Sequence, residues 1–285
     1  MTAHELRLDT HLHLWDPALG IYSWLTPDHG PLYAAFTPEL AEAELRSARV
    51  DRAVLVQAAD SAADTRAMLA VAQAHDWVAG VVGWVDLEDP DGAEAALAEW
   101  AASPAFCGIR QLVHDDPRDN VLGLRGVQQT LKTLAAHGIP LDVPDAFPRQ
   151  LEGARQAAQA VDDLVLVVDH LAKPPRGTSD LDAWERAVRG IARHENVVAK
   201  VSGLEVAGQP WSAEAVRSVW DIALDAFGST RLMFGSDWPI TVSGSGYAGT
   251  VTVLDELIGE LSPDEQADLW WRTGSRTYRL GLDPS

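Results

Sequence analysis

The chain reads as an α/β protein, a (β/α)8 barrel of one domain spanning 1–285, on three observations. Short runs rich in Val, Leu and Ile alternate with amphipathic helical stretches eight times, at intervals of roughly 25–45 residues. The runs are apolar at most positions, as expected of strands buried on both faces. Finally, an open doubly wound sheet favours a glycine-rich phosphate loop after its first strand, and that place is taken here by His11-Leu12-His13.

The first strand lies in residues 6–16, where leucines at 6, 8, 12 and 14 are interrupted by polar residues and the run stops before Pro17. Side chains two apart on a strand point the same way, so His11 and His13 project together from its carboxyl end. Residues 17–38 carry Tyr22, Trp24, Tyr33 and Phe36 among prolines and glycines without a regular period. That segment is a long loop, and its aromatic side chains either wall a pocket over the catalytic end or anchor a plain surface loop. Thr37 and Pro38 open a helix running to Ser47. Strands follow at 53–57, 78–86, 106–112, 139–143, 164–170, 196–202 and 231–236. Helices are expected at 62–75, 91–102 and 149–160, with another that ends at His137 and is capped by Gly138. A polar loop covers 114–120.

Hydrophobic residues make up 47% and charged residues 22% of the 285, a composition that folds and buries a sizeable core. No run is long enough to span a membrane. The amino terminus lacks the basic lead and apolar core of an export signal, so a cytoplasmic location is expected. The single cysteine, Cys107, rules out an internal disulfide and is expected to be a small core residue. A net charge of −20 repels phosphate backbones, so no nucleic-acid partner is expected. The acidic excess is spread over helix faces and reads as solvated surface. Nothing in the composition specifies an oligomeric state.

In a barrel of this kind the active site is built at the carboxyl ends of the strands. Those ends supply His11 and His13, Gln57, Asp86, Arg110, Asp142, Asp169 and His170, Lys200 and Ser202, and Asp237. So many titratable groups at one barrel mouth are hard to explain by packing. With these residues in view, five stretches resemble the amidohydrolase superfamily and, more narrowly, its sugar-lactonase branch of L-fuconolactonase- and L-rhamnonolactonase-like proteins. They are Asp9-Thr-His-Leu-His-Leu-Trp-Asp-Pro17, Gly108-Ile-Arg110, Asp169-His-Leu-Ala-Lys-Pro174, Lys200-Val-Ser-Gly-Leu204 and Phe234-Gly-Ser-Asp-Trp-Pro239.

The resemblance implies hydrolysis of a small-molecule sugar lactone. Asp237 is the candidate general base, taking a proton from the attacking water and returning it to the ring oxygen. His11, His13 and His170 then polarise the lactone carbonyl, directly or through one divalent ion held by His11, His13, His170 and Asp237, with Zn2+ favoured. Full-ligand relatives usually add a histidine at the end of strand five, where Pro140-Leu-Asp-Val-Pro144 offers only Asp142; the same residues can therefore work with or without metal. Arg110 and Lys200 either bind ring hydroxyls or the developing carboxylate, or neutralise the carboxylates around them. Trp15 and Trp238 stack on the sugar or close the barrel top, and His114 contacts hydroxyls or stays solvated. Asp169 is expected to orient His170 or cap a helix. His4, His29, His75, His137 and His194 receive no role.

Two readings from other classes stand beside this one. A metal-dependent decarboxylase of aromatic acids, from a sister branch, would want the strand-five histidine. A non-catalytic barrel that binds a sugar acid would have no need of Asp237 and three histidines together.

Overall fold

The computed structural model describes residues 5–114 and 116–282, so His4 lies outside it. Its eight strands are β1 (Leu8–Leu12), β2 (Arg52–Val56), β3 (Val78–Gly83), β4 (Phe106–Arg110), β5 (Leu141–Val143), β6 (Leu166–Val168), β7 (Val197–Val201) and β8 (Leu232–Phe234). Each pairs in parallel with the next, in chain order. β8 returns to β1 just beyond the strand ends. The Asp237 N–H donates to His11 O at 2.8 Å and the His13 N–H to Trp238 O at 2.7 Å. The seam that closes the barrel is thus made by the residues that carry the chemistry.

Between the strands run α1 (Pro38–Ala48), α2 (Ala62–Ala74), α3 (Pro90–Trp100), α4 (Arg125–His137), α5 (Leu151–Ala160), α6 (Leu181–Ile191) and α7 (Ala213–Phe227), with α8 (Gly246–Ile258) after β8. The expected punctuation is in place: Thr37 Oγ1 accepts from Leu40 N–H at the start of α1, and Gly138 takes a left-handed conformation after α4. Period two then divides the strand residues between two cores. Leu8, Val54, Val56, Val82, Val167, Val198 and Met233 fill the barrel interior with Tyr278. Their neighbours on the other face pack against helices that bury Trp100, Trp184 and Trp220 completely. Burying side chains of this kind stabilises by roughly 1.5–3 kcal/mol each.

Several features depart from the sequence reading, among them β3, which ends at Gly83 and not at 86. β6 ends at Val168 and not at 170, because His170, Leu171, Ala172 and Lys173 all take left-handed backbones, with φ of 54°, 50°, 61° and 60°. Non-glycine residues resist that region by about 1–2 kcal/mol each, so the turn must be held by its surroundings. Trp184 Nε1–H donates to Leu171 O at 2.8 Å, Phe147 N–H donates to Ala172 O at 3.1 Å, and Leu171 and Ala172 are fully buried. The loop after β1 contains two short 3-10 turns, Pro17–Leu19 and Pro27–Leu32. Cys107 is half-buried on β4, at the edge of the barrel-interior core against which it packs. Among the described residues no helix is long and apolar enough to cross a membrane.

Candidate active site

A cavity of about 300 Å3 opens at the carboxyl end of the barrel. His13, His170 and Asp237 line it, with Trp15 and Trp24 on one wall and Arg110 and His114 coming from β4 and the segment after it. The tryptophans are fixed: Trp15 Nε1–H donates to Leu32 O at 3.0 Å and Trp24 Nε1–H to Ala58 O at 2.7 Å. Of the two readings of the loop after β1, the pocket wall is the one observed. His29, expected to have no role, also lines the cavity, its ring edge-on to Trp24 at 5.4 Å.

Three imidazoles converge on one carboxylate oxygen. Asp237 Oδ1 lies 3.9 Å from His11 Nε2, 3.6 Å from His13 Nε2 and 3.9 Å from His170 Nε2, and the two strand-one Nε2 atoms are 3.1 Å apart. Every ring is oriented through its other nitrogen. His13 Nδ1 sits 2.8 Å from Val56 O, a pure acceptor, so the ring hydrogen is on Nδ1 and the Nε2 lone pair faces the centre. His170 Nδ1 is 2.8 Å from Ser202 Oγ. His11 Nδ1 has Lys200 Nζ at 3.0 Å and Asp169 Oδ1 at 3.3 Å, a donor and an acceptor that serve either tautomer. A lone pair turned inward, as at His13, and outer nitrogens tied down, as on all three rings, are what a metal-binding imidazole requires. The donor set of imidazole nitrogens and one carboxylate fits a divalent ion, and His11, His13 and Asp237 are close enough to share one.

Electrostatics supports the same assignment. Burial, with Lys200 close by, pushes His11 well down, and burial also lowers His170, so both are uncharged at neutral pH. Burial works against the charge on Asp237, but His170, His13 and His11 outweigh it and hold the carboxyl well below the usual range. Asp9, one pleat below His11, accepts from the His11 and Ser236 backbone N–H groups at 2.9 Å and braces the seam.

Lys200 does not sit where a substrate ligand would. Its side chain is fully buried beneath His11, where Nζ donates to Asp142 Oδ2 at 2.5 Å and lies 3.1 Å from Asp169 Oδ1. Tyr278 Oη–H donates to Asp142 from below. Asp142, all that strand five offered as a ligand, is therefore committed to Lys200; its carboxyl is pushed up to about 6 by burial, partly opposed by that ammonium. Asp169 faces His11, Lys200 and Arg110 (Nε to Oδ2, 3.0 Å) while Ser202 orients His170, contrary to the expectation for Asp169. Burial opposes its charge too, and Lys200 and His11 overcome that and hold it far down. Arg110 lines the cavity, donates through Nη1 to Gln57 O at 3.0 Å and pairs with Asp169, so it neutralises a buried carboxylate at the cavity wall. Trp238 is buried, edge-on to Phe36 at 5.2 Å, and closes the barrel top without lining the cavity. Asp86 is exposed and accepts from Glu88 N–H in a turn, away from the centre.

One residue that the reading of side chains overlooked is Gly203. Its φ is +55°, and a Cβ there would stand 2.6 Å from His170 Nδ1 and 2.7 Å from Asp237 Oδ2. The glycine in Lys200-Val-Ser-Gly-Leu204 was the available signal, since only glycine suits both the backbone and the close approach.

A parallel eight-stranded barrel with a metal-competent histidine–aspartate centre at its mouth defines the class of protein. The chain belongs to the amidohydrolase family, which it matches over residues 8–280, as the five motifs implied. It is 33% identical over 282 residues to the L-fucono-1,5-lactonase of Burkholderia ambifaria, covering 96% of each chain. With the L-fucono-1,5-lactonase of Burkholderia multivorans it shares 31% over 293 residues, again 96% of each. Its structure is similar to that of an amidohydrolase from Burkholderia multivorans with bound HEPES, with a TM-score of 0.86, 30% identity, and coverage of 96% of this chain and 99% of that one. The same protein has been solved with bound zinc, at a TM-score of 0.85.

Proposed function

We propose that this chain hydrolyses the cyclic ester of a sugar acid, an aldonolactone of the L-fucono-1,5-lactone type. The observation that carries the reading is the convergence of three imidazoles on Asp237 at the base of a cavity of ring size, in a chain that matches two L-fucono-1,5-lactonases over nearly its whole length. That full-length match also disfavours the decarboxylase and the binding-only barrel.

The chain's own residues suit the steps. Asp237, ionised and poised beside the cavity, accepts a proton from the water as its oxygen bonds to the lactone carbonyl carbon. When the ring C–O bond breaks, the same proton passes to the departing ring oxygen, leaving a hydroxy acid. Arg110 reaches the cavity with a guanidinium able to hold the developing carboxylate. The locked Trp15 and Trp24 rings offer an apolar wall to the C–H face of the sugar and exclude water from it. Because His13 spends its Nδ1 hydrogen on Val56 O and turns Nε2 to the centre, it suits ion binding better than direct polarisation of a carbonyl. His11, His13, His170 and Asp237 would hold one divalent ion, with zinc preferred for this nitrogen-rich set. Such an ion supplies a Lewis acid for the carbonyl and lowers the pKa of bound water.

The test is a panel of aldonolactones and aromatic carboxylates, followed by acid release for the first and CO2 release for the second. Lactone turnover with no CO2 is expected. CO2 release without lactone turnover would refute the proposal.

A further inference from the structure

Two cavity-lining residues, Asp145 and Lys173, have no part in the scheme above. They follow β5 and β6, and the Phe147 N–H to Ala172 O bond ties their two segments together. Asp145 Oδ2 lies 3.9 Å from Lys173 Nζ, too far for a hydrogen bond, and the two side chains are 30% and 39% exposed. Asp145 Oδ1 is buried and accepts no hydrogen bond among the described residues. Both residues also take left-handed backbones, with φ of 41° and 60°. The Trp184 and Phe147 hydrogen bonds hold the turn that ends at Lys173, and a half-exposed pair at this distance stabilises too little to explain why a carboxylate and an ammonium are presented together there. Strained, non-glycine backbone at a cavity wall points to a role in what the cavity binds.

We propose that Asp145 and Lys173 form a clamp for the ring hydroxyls of the substrate and set the preference for polyhydroxylated lactones over plain ones. A carboxylate accepts from two neighbouring hydroxyl groups and an ammonium donates to a hydroxyl oxygen, the complement of a vicinal diol. The diol bridges Asp145 Oδ2 and the Lys173 ammonium, which stand 3.9 Å apart at the cavity wall. The proposal rests on the lactonase reading.

The test compares kcat/KM for L-fucono-1,5-lactone with that for δ-valerolactone, which has the same ester ring and no ring hydroxyls. The readout is the ratio of the two. In Asp145→Asn and in Lys173→Gln the ratio is expected to fall at least tenfold, chiefly through KM for the sugar lactone, and Lys173→Arg should recover most of it. Asparagine accepts a left-handed backbone as readily as aspartate, so the first variant keeps the loop; should it fail to fold, Lys173→Gln decides alone. A ratio within twofold of wild type in the folded variants would overturn the clamp. If the wild-type protein hydrolyses neither lactone, the lactonase reading fails separately, and calorimetric binding of L-fuconate reads the clamp without turnover. Affinity at least tenfold weaker in Asp145→Asn than in wild type would then support it, and equal affinities, or no binding by wild type, would overturn it.

Discussion

Replacing Lys200 by methionine removes the ammonium that joins Asp142, Asp169 and His11 while keeping most of the side-chain volume. At an effective dielectric of about 20, contacts of 2.5 and 3.1 Å correspond to about 5–7 kcal/mol each before desolvation is counted. Taking the three groups out of water offsets much of that, and breaking a fully buried pair costs on the order of 3–5 kcal/mol because a carboxylate is left without its partner. For a chain of this size the melting temperature should fall by roughly 6–20 °C. The loss should also depend on pH. Asp142 binds its proton more tightly in the folded chain, at about 6, than an ordinary aspartate does at 3.8, so stability declines as pH rises through that window. Lys200 opposes the rise; without it the window extends above 6, and the deficit of the variant should be larger at pH 8 than at pH 5. Circular dichroism melts at both pH values, paired with lactone kinetics, make the measurement. A variant that melts like wild type at pH 8 but shows a raised KM would refute the reasoning and return Lys200 to the substrate.

Gly203→Ala should lower kcat at least about 10²-fold, since a Cβ 2.6 Å from His170 Nδ1 and 2.7 Å from Asp237 Oδ2 displaces both; a crystal structure or kinetics with unchanged kcat would contradict this. Asp237→Asn keeps the side-chain shape and its left-handed backbone but removes the proton acceptor, so kcat should fall by roughly 10²–10⁴ with the melt preserved; full activity would sink the mechanism. Dialysis against a chelator, monitored by elemental analysis, should abolish activity and Zn2+ should restore it; turnover by protein shown to be metal-free would assign carbonyl polarisation to the chain's own groups.

Where the sequence reading succeeded and failed follows from depth along the barrel axis. Hydrophobic period and polar strand ends locate the mouth, and the His11–His13 spacing places both rings on one face. His170 and Asp237 then follow from their positions just past apolar runs. Period two, however, says which way a side chain points and not how far down the barrel it begins. Lys200 and Ser202 share a face, but two residues of strand separate them by roughly 6.6 Å. Ser202 therefore meets His170 at the mouth, while the long Lys200 chain ends beneath His11, below the cavity. Asp142 lies deeper still, above Tyr278, and was legible as a polar strand end but not as the partner of a buried lysine. Asp145 and Lys173 were illegible for a different reason: their place depends on left-handed turns made by Asp, His, Leu, Ala and Lys, and of these only Asp and His are common in that region. The turn that ends at Lys173 is held by Trp184, 13 residues beyond Leu171, and by Phe147 on the preceding unit, so no local pattern reports it. Residues whose conformation is imposed from a distance are those the site can use for recognition, because the strain they carry is stabilised by the core and does not depend on the ligand.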